Sequence, residues 1–171
     1  MSTDEHLPDV YLSLGSNIEP EKNLRRAVQL LREVCTVLAI SSAYRTPPQG
    51  FINQPDFLNM AVKIHTSLTP EAFKTQVIDM IEKQLKRRRD PSNKNAPRTI
   101  DLDISLWGDA AFRYGSKPWC VPDEAILHYA HVVLPLAEIA PDFVHAQFGL
   151  CLKDIAARFD TSQWIKISLM E

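Results

Sequence analysis

Val10, Leu12 and Leu14 alternate with Tyr11 and Ser13, the two-residue period of a half-buried strand, and Gly15-Ser16-Asn17 then supplies turn chemistry. From Asn23 the apolar residues Leu24, Ala27, Val28, Leu31, Val34, Cys35 and Leu38 recur at steps of three and four, which predicts a helix with one buried face. A β-branched, small-residue stretch over 37–44 predicts a second strand, and Thr46-Pro47-Pro48-Gln49-Gly50 then forbids regular structure. Leu58, Met60, Val62 and Ile64 alternate with Asn59, Ala61, Lys63 and His65, so a third strand follows a loop over 45–56. Thr69-Pro70 reads as an N-cap and first helical residue, and Phe73, Val77, Met80, Ile81 and Leu85 mark the apolar face of a second helix. That helix ends in Lys86-Arg87-Arg88-Arg89, and 90–97 make a second long loop. The last clear strand places Ile100, Leu102, Ile104 and Leu106 on one face and Thr99, Asp101, Asp103 and Ser105 on the other.

The order β-α-β-β-α-β predicts an α+β fold with a ferredoxin-like core, two helices against one antiparallel sheet. Beyond Gly108 the periodicity weakens: 125–129 read as a short helical segment, Pro135 interrupts the apolar stretch 132–139, and 152–159 read as a terminal helix. This part is read as a C-terminal extension covering the core. With 171 residues and 45% hydrophobic composition the chain supports one core, so 1–171 is read as a single domain whose residues 1–8 form a polar, disordered tail.

Nineteen Lys and Arg against 21 Asp and Glu give a formal charge of −2, so no whole-molecule field attracts nucleic acid or an anionic membrane. No apolar run approaches the roughly 18 residues that span a bilayer, and the start is too polar for a signal peptide. Three widely spaced cysteines, Cys35, Cys120 and Cys151, form no C-x-x-C pair, which argues against a disulfide framework or a zinc site. The expectation is a cytoplasmic, monomeric protein whose partners are small molecules.

Asp101 and Asp103 project from one sheet face with α-carbons about 7 Å apart, a spacing that suits hard cations such as Mg²⁺, whose shell substrate phosphates complete. Such a pair also occurs as a solvated polar face. Its setting favours chemistry: Arg98 lies three residues before Asp101, and Arg87 and Arg89 open the same loop, so phosphate-binding cations and metal-binding anions come from one segment. The run 86–89 has a simpler reading as positive charge complementing a helix C-terminus, with Arg88 the arginine that reads as surface alone. Phe57 and Asn59 share a face at the start of the third strand, where a ring beside an amide can bind a flat heterocycle or simply pack.

Four blocks, Leu14-Gly15-Ser16-Asn17, the segment 41–48, Gln54-Pro55-Asp56-Phe57-Leu58-Asn59 and the segment 96–104, together with 134–141, resemble the 6-hydroxymethyl-7,8-dihydropterin pyrophosphokinase family in order and spacing. The resemblance covers most of the chain and implies transfer of pyrophosphate from ATP to the pterin hydroxymethyl group, releasing AMP, in folate synthesis. By the same resemblance Asp101 and Asp103 bind two Mg²⁺ ions, and Arg87, Arg89 and Arg98 hold the phosphates. Arg87 and Arg98 join the aspartates as the catalytic set, and Glu82 is a nucleotide contact. Thr46, Pro47, Gln49, Phe57 and Asn59 then recognise the pterin, with Phe57 stacking on its ring.

Several positions depart from the family pattern. Asp123 stands where the family has a phosphate-contacting His, Tyr129 where it has an Arg, and His131 where an aromatic closes the pterin sandwich. Lys86 replaces a Gly, and the loop tryptophan corresponds to Lys94 or Asn95. Loss of two cationic contacts predicts a weaker hold on ATP, because phosphoryl-type transfer is driven by positioning and charge neutralisation. The alternative is a divergent paralogue that uses another acceptor or binds nucleotide or pterin without turnover. An RNA-binding module shares the element order, but the strand from Phe57 to Ile64 lacks the glycine and aromatic pattern such modules use.

Overall fold

The computed structural model describes residues 6–48, 50–117 and 119–170. Residues 6–9 lead without regular structure into β1 (Val10–Ser16); of the tail expected at 1–8, residues 1–5 lie outside the described residues, as does Gln49. Helix α1 (Pro20–Val34) follows, ending four residues short of the predicted Leu38 because Thr36 and Val37 already pair with the sheet as β2 (Thr36–Ile40).

The single second strand expected over 37–44 is two strands. Ser41 and Ser42 separate β2 from β3 (Ala43–Thr46), and both pair with β4 (Phe57–His65). Ser41 Oγ accepts from the Ala61 backbone N–H at 2.8 Å, so a side chain carries the ladder across the break.

The second helix begins where expected, with Thr69 Oγ1 accepting from the Ala72 N–H at 3.2 Å. It runs as α2 (Pro70–Phe73), a π-helical turn over Lys74–Ile78 and α3 (Asp79–Gln84), and then leads through the arginine loop into β5 (Asp101–Trp107). Strand order is β5-β1-β4-β3, with β2 also on β4, and every pairing is antiparallel, which is the ferredoxin-like arrangement.

One face of the sheet is apolar throughout. Val10, Leu12, Leu14, Met60, Val62 and Leu102 pack with Leu24, Val28 and Leu31 of α1 and Phe73, Val77 and Ile81 of the second helix, all essentially buried.

The extension supplies what the weak periodicity beyond Gly108 concealed. A hairpin of β6 (Phe112–Tyr114) and β7 (Trp119–Val121) leads to α4 (Ala125–His128), α5 (Ala130–Ile139) and α6 (Leu152–Ala156), and β8 (Ile165–Ile167) adds to β3. Pro135 does not interrupt α5; it lies buried inside the helix. The terminal helix stops at Ala156 rather than Phe159.

Val133, Leu136, Leu152 and Ile155 of this extension cover Tyr11, Ala61 and Leu106 on the second sheet face. Leu106 was expected beside Ile104 and lies on the opposite side, because Tyr11 pairs with Leu106 and Leu12 with Ile104, leaving Ser105 as a bulge that shifts the alternation. The extension covers only part of this face. The uncovered part holds Ser13, Gly15, Asn59, Asp101 and Asp103. Among the described residues no helix is long and apolar enough to cross a membrane.

Candidate active site

Ladder registry assembles the uncovered patch. Gly15 of β1 sits between Asn59 of β4 and Asp101 of β5, and Ser13 sits between Ala61 and Asp103. A Cβ at Gly15 would lie 2.7 Å from Asn59 Oδ1, so glycine lets the strands present an amide and a carboxylate side by side. Ser13 and Ser105 share a hydrogen bond of 2.6 Å beside this patch.

A cleft of about 130 Å³ opens above it. Thr46, Pro47, Phe57, Asn59 and His131, the described members of the set expected to face the pterin, all line it, together with Arg98, Asp101 and Asp103. Asn59 Nδ2 donates to Thr46 Oγ1 at 2.6 Å, and both residues are buried, so the amide is locked in orientation. His131 enters from the first turn of α5 with its ring centroid 5.3 Å from that of Tyr129. Burial pushes the His131 pKa down against the opposing pull of Asp101, which favours the neutral ring.

The far end of α5 braces the same wall. Glu138 Oε2 accepts from the Tyr44 hydroxyl at 2.7 Å and Glu138 Oε1 from the Ser42 hydroxyl at 2.8 Å, fixing β3, which carries Thr46, against the helix that carries His131. Burial works against the Glu138 charge, but the donors from Tyr44 and Ser42 and the charge of Lys166 hold its pKa below the ordinary value.

A second cavity, of about 430 Å³, lies alongside and is lined by Glu82, Arg87, Arg89, Lys74, Lys83, Lys117 and Trp119, among others. Glu82, Arg87 and Arg89, expected on the nucleotide, therefore group apart from the pterin set. Arg87 joins the two cavities: its Nη1 donates to Glu82 Oε1 at 2.6 Å and to Asp101 Oδ1 at 2.8 Å. Burial lowers the Arg87 pKa, and Asp101 and Glu82 more than offset this, leaving it raised. Arg89 donates to Glu82 Oε2 at 3.2 Å, and Arg98 Nη1 donates to Asp101 Oδ2 at 3.0 Å. The three arginines expected to grip phosphate are thus paired with carboxylates. Arg88 is exposed, as read from the sequence.

Asp103 is the exception. Among the described residues no donor reaches its carboxylate, which is exposed to the cleft; protein crowding around it, then the charges of Asp101, Asp123 and Glu82, push its pKa up. Asp123 is likewise raised by burial and by Asp101. Such uncompensated negative charge fits a bound cation. Among the described residues no three acidic, His or Cys side chains close on a metal-sized space.

The profile of the 7,8-dihydro-6-hydroxymethylpterin-pyrophosphokinase (HPPK) family matches residues 11–141. The chain belongs to the HPPK family. Relatives include the 2-amino-4-hydroxy-6-hydroxymethyldihydropteridine pyrophosphokinases of Bacillus subtilis, 41% identical over 75% of this chain and 76% of that protein, and of Methylorubrum extorquens, 38% identical over 89% and 94%. The folic acid synthesis protein fol1 of Pneumocystis carinii is 34% identical over 84% of this chain but only 19% of its own length. Among solved structures, wild-type Plasmodium falciparum HPPK-DHPS superposes with a TM-score of 0.71 over 99% of this chain and 48% of that one, at 13% identity, a likeness of fold.

Sequence reasoning missed several residues that line the second cavity. Lys74, Lys117 and Trp119 reach the second cavity from the π-helical turn and the β6–β7 hairpin. Neither segment carries a sequence pattern that marks it. The Lys86 departure has a structural cost: Lys86 adopts φ +61°, the left-handed region in which the family's glycine is unstrained.

Proposed function

We propose that this HPPK-family chain transfers the pyrophosphoryl group of ATP to the hydroxymethyl oxygen of 6-hydroxymethyl-7,8-dihydropterin, releasing AMP, as a step of folate synthesis. It acts as a single-domain, monomeric, cytoplasmic enzyme. The observation that carries the reading is the Arg87–Asp101 pair at 2.8 Å, where a small cleft that sets aromatic and neutral polar groups beside Arg98, Asp101 and Asp103 meets a larger, mainly basic cavity. A flat heterocycle suits the first, and a polyphosphate suits the second.

Phe57 and His131 offer rings to the pterin, while Asn59, locked by Thr46, meets its amide-like edge. Arg87, Arg89 and Arg98 exchange their carboxylate partners for phosphate oxygens and neutralise charge on the transferred group. Asp101 and Asp103 would hold two Mg²⁺ ions, which when bound neutralise and align the phosphates. The hydroxymethyl oxygen attacks the β-phosphorus as the bond to the α-phosphate oxygen breaks, so AMP leaves with that oxygen. Positioning does most of the work, and no strong side-chain base is required.

The test is AMP release from ATP and Mg²⁺ with and without the pterin, using purified protein and an Asp101→Ala control. Pterin-dependent AMP that vanishes in the control is the expected result. Folded protein that binds ATP yet releases no AMP overturns the reading and favours the divergent paralogue, which the anionic Asp123 beside Asp101 and Asp103 motivates.

A further inference from the structure

The loop between α5 and α6 closes on one imidazole. His145 is 2% exposed, and its Nδ1 accepts from the backbone N–H groups of Gln147 at 3.3 Å and Phe148 at 3.1 Å, so the ring is neutral with its proton on Nε2. The backbone of the same residue completes the turn: the His145 N–H donates to the Leu150 carbonyl at 2.9 Å, and its carbonyl accepts from the Gly149 N–H at 2.9 Å. Val144 bridges Cys151, and the Leu152 N–H donates to the Phe143 carbonyl at 2.9 Å, which ties the start of α6 to the loop. Val144, Phe148 and Leu150 are exposed, and Phe143, edge-on to Tyr11 with ring centroids 6.0 Å apart, is the loop's anchor in the core. A segment with so little apolar burial of its own depends on its hydrogen bonds.

A proton on Nδ1 turns that acceptor into a donor facing two donors. We propose that His145 is an acid-sensitive latch, whose protonation releases the loop over 143–151 and lets α6 open while the ferredoxin-like core stays folded. Opening uncovers Val133 and Leu136 of α5, which Leu152 and Ile155 of α6 otherwise cover, and so loosens the helix that carries His131. Burial pushes the His145 pKa below its ordinary 6.5, against an opposing backbone hydrogen bond. The folded state favours the neutral ring, so the contribution of His145 is complete above 6.5 and is lost as pH falls through the folded value. The charged groups around it have other partners. Asp142 pairs with Lys153 at 3.1 Å, Asp154 accepts from Cys151 Sγ at 3.0 Å, and the Arg158 guanidinium lies 5.3 Å from the Phe148 ring centroid. Across the contact with β1, Lys63 Nζ lies 5.9 Å from the Tyr11 ring centroid and pairs with Asp9 at 3.4 Å. Among the described residues no carboxylate pairs with the imidazole.

His145→Asn separates the switch from the structure. An Asn amide oxygen takes the place of Nδ1 as acceptor for backbone N–H groups two and three residues on, and it does not titrate. The measurement is amide hydrogen exchange by mass spectrometry on the parent and the variant, at about pH 7.5 and about pH 5 on either side of the ordinary imidazole value, corrected for the intrinsic pH dependence of exchange.

On acidification, protection of peptides within 143–156 is expected to fall about tenfold more in the parent than in the variant, with β1, β4 and β5 unchanged in both. Equal losses in the two proteins overturn the latch and assign the acid sensitivity to groups they share, Glu138 among them. A parent that keeps its protection in acid overturns it as well. The parent alone supplies a second check should the variant fail to fold: the ¹⁵N shifts of the His145 ring are expected to show the proton on Nε2 at neutral pH and a titration midpoint below the ordinary 6.5 that coincides with the loss of protection. A proton on Nδ1, or a midpoint at the ordinary value, overturns the proposal.

Discussion

On the pterin side of the cleft the polar groups are neutral and satisfied by one another: Thr46 and Asn59 are buried, bonded at 2.6 Å, and set on adjacent strands. On the arginine side the groups are charged and come from a loop, and their pairs at 2.6–3.2 Å use the functional side chains themselves as partners. The neutral half is ready for its ligand, since nothing must be broken for a ring to enter. The charged half must trade protein pairs for phosphate oxygens, so its affinity is a difference between two sets of charge-assisted bonds. Strand geometry can hold an amide in place without help, whereas a cluster of like charges needs counter-ions in every state.

The largest effect belongs to Asp103, the carboxylate with no donor among the described residues. Asp103→Ala is expected to lower pterin-dependent AMP formation by about 10³-fold with the fold retained. Asp103→Asn should in addition raise the Tm of chelator-treated protein at neutral pH. The folded-state pKa is raised, so the folded form favours the protonated acid, and ionisation costs stability as pH rises above the ordinary 3.8, by an amount that solvent at this exposed carboxylate screens. The Tm gap between variant and parent should therefore open above that pH and close below it. A gap that is constant with pH would show that Asp103 is balanced by charges within the protein.

Arg87→Ala removes the link between the halves and leaves Glu82, whose side chain is 8% exposed, without its 2.6 Å partner. Breaking such a buried pair is expected to cost about 3 kcal/mol in denaturant unfolding and to raise the KM for ATP. Thr46→Val tests the neutral half: the freed Asn59 amide should raise the pterin KM about tenfold while the KM for ATP holds. Equal changes in both constants would erase the distinction between the halves.

Glu138→Gln loosens the wall that carries Thr46 and His131, at an expected cost of about 1 kcal/mol at neutral pH. The folded-state pKa of Glu138 is lowered, so its stabilisation is present above the ordinary 4.5 and lost as pH falls through the folded value. The two proteins should converge in acid. Lys86→Gly relieves a left-handed backbone and is expected to add about 0.5–1 kcal/mol of stability, read as a rise in Tm.

The ferredoxin-like core was legible because its strands and helices carry clean periods of two and between three and four residues. The bulge at Ser105 and the break at Ser41-Ser42 were not, because alternation looks the same until a register is known. The extension was poorly legible for another reason. Its elements are short and packed by contact with the sheet, so no single segment has a strong pattern of its own.

The sequence alone determined which chemistry is available: two carboxylates two positions apart on a strand, arginines flanking them, and a ring and an amide at the head of another strand. Only the tertiary structure decided how that chemistry is divided. It grouped Thr46, Phe57, Asn59 and His131 in one cleft and Glu82, Arg87 and Arg89 in another, and paired the arginines with carboxylates. It also bound Asn17 to residues 37 and 81 positions away. Composition and spacing describe what a segment can do, but ion pairs and hydrogen bonds depend on angstrom-scale distances between segments, and those exist only once the sheet has set its register.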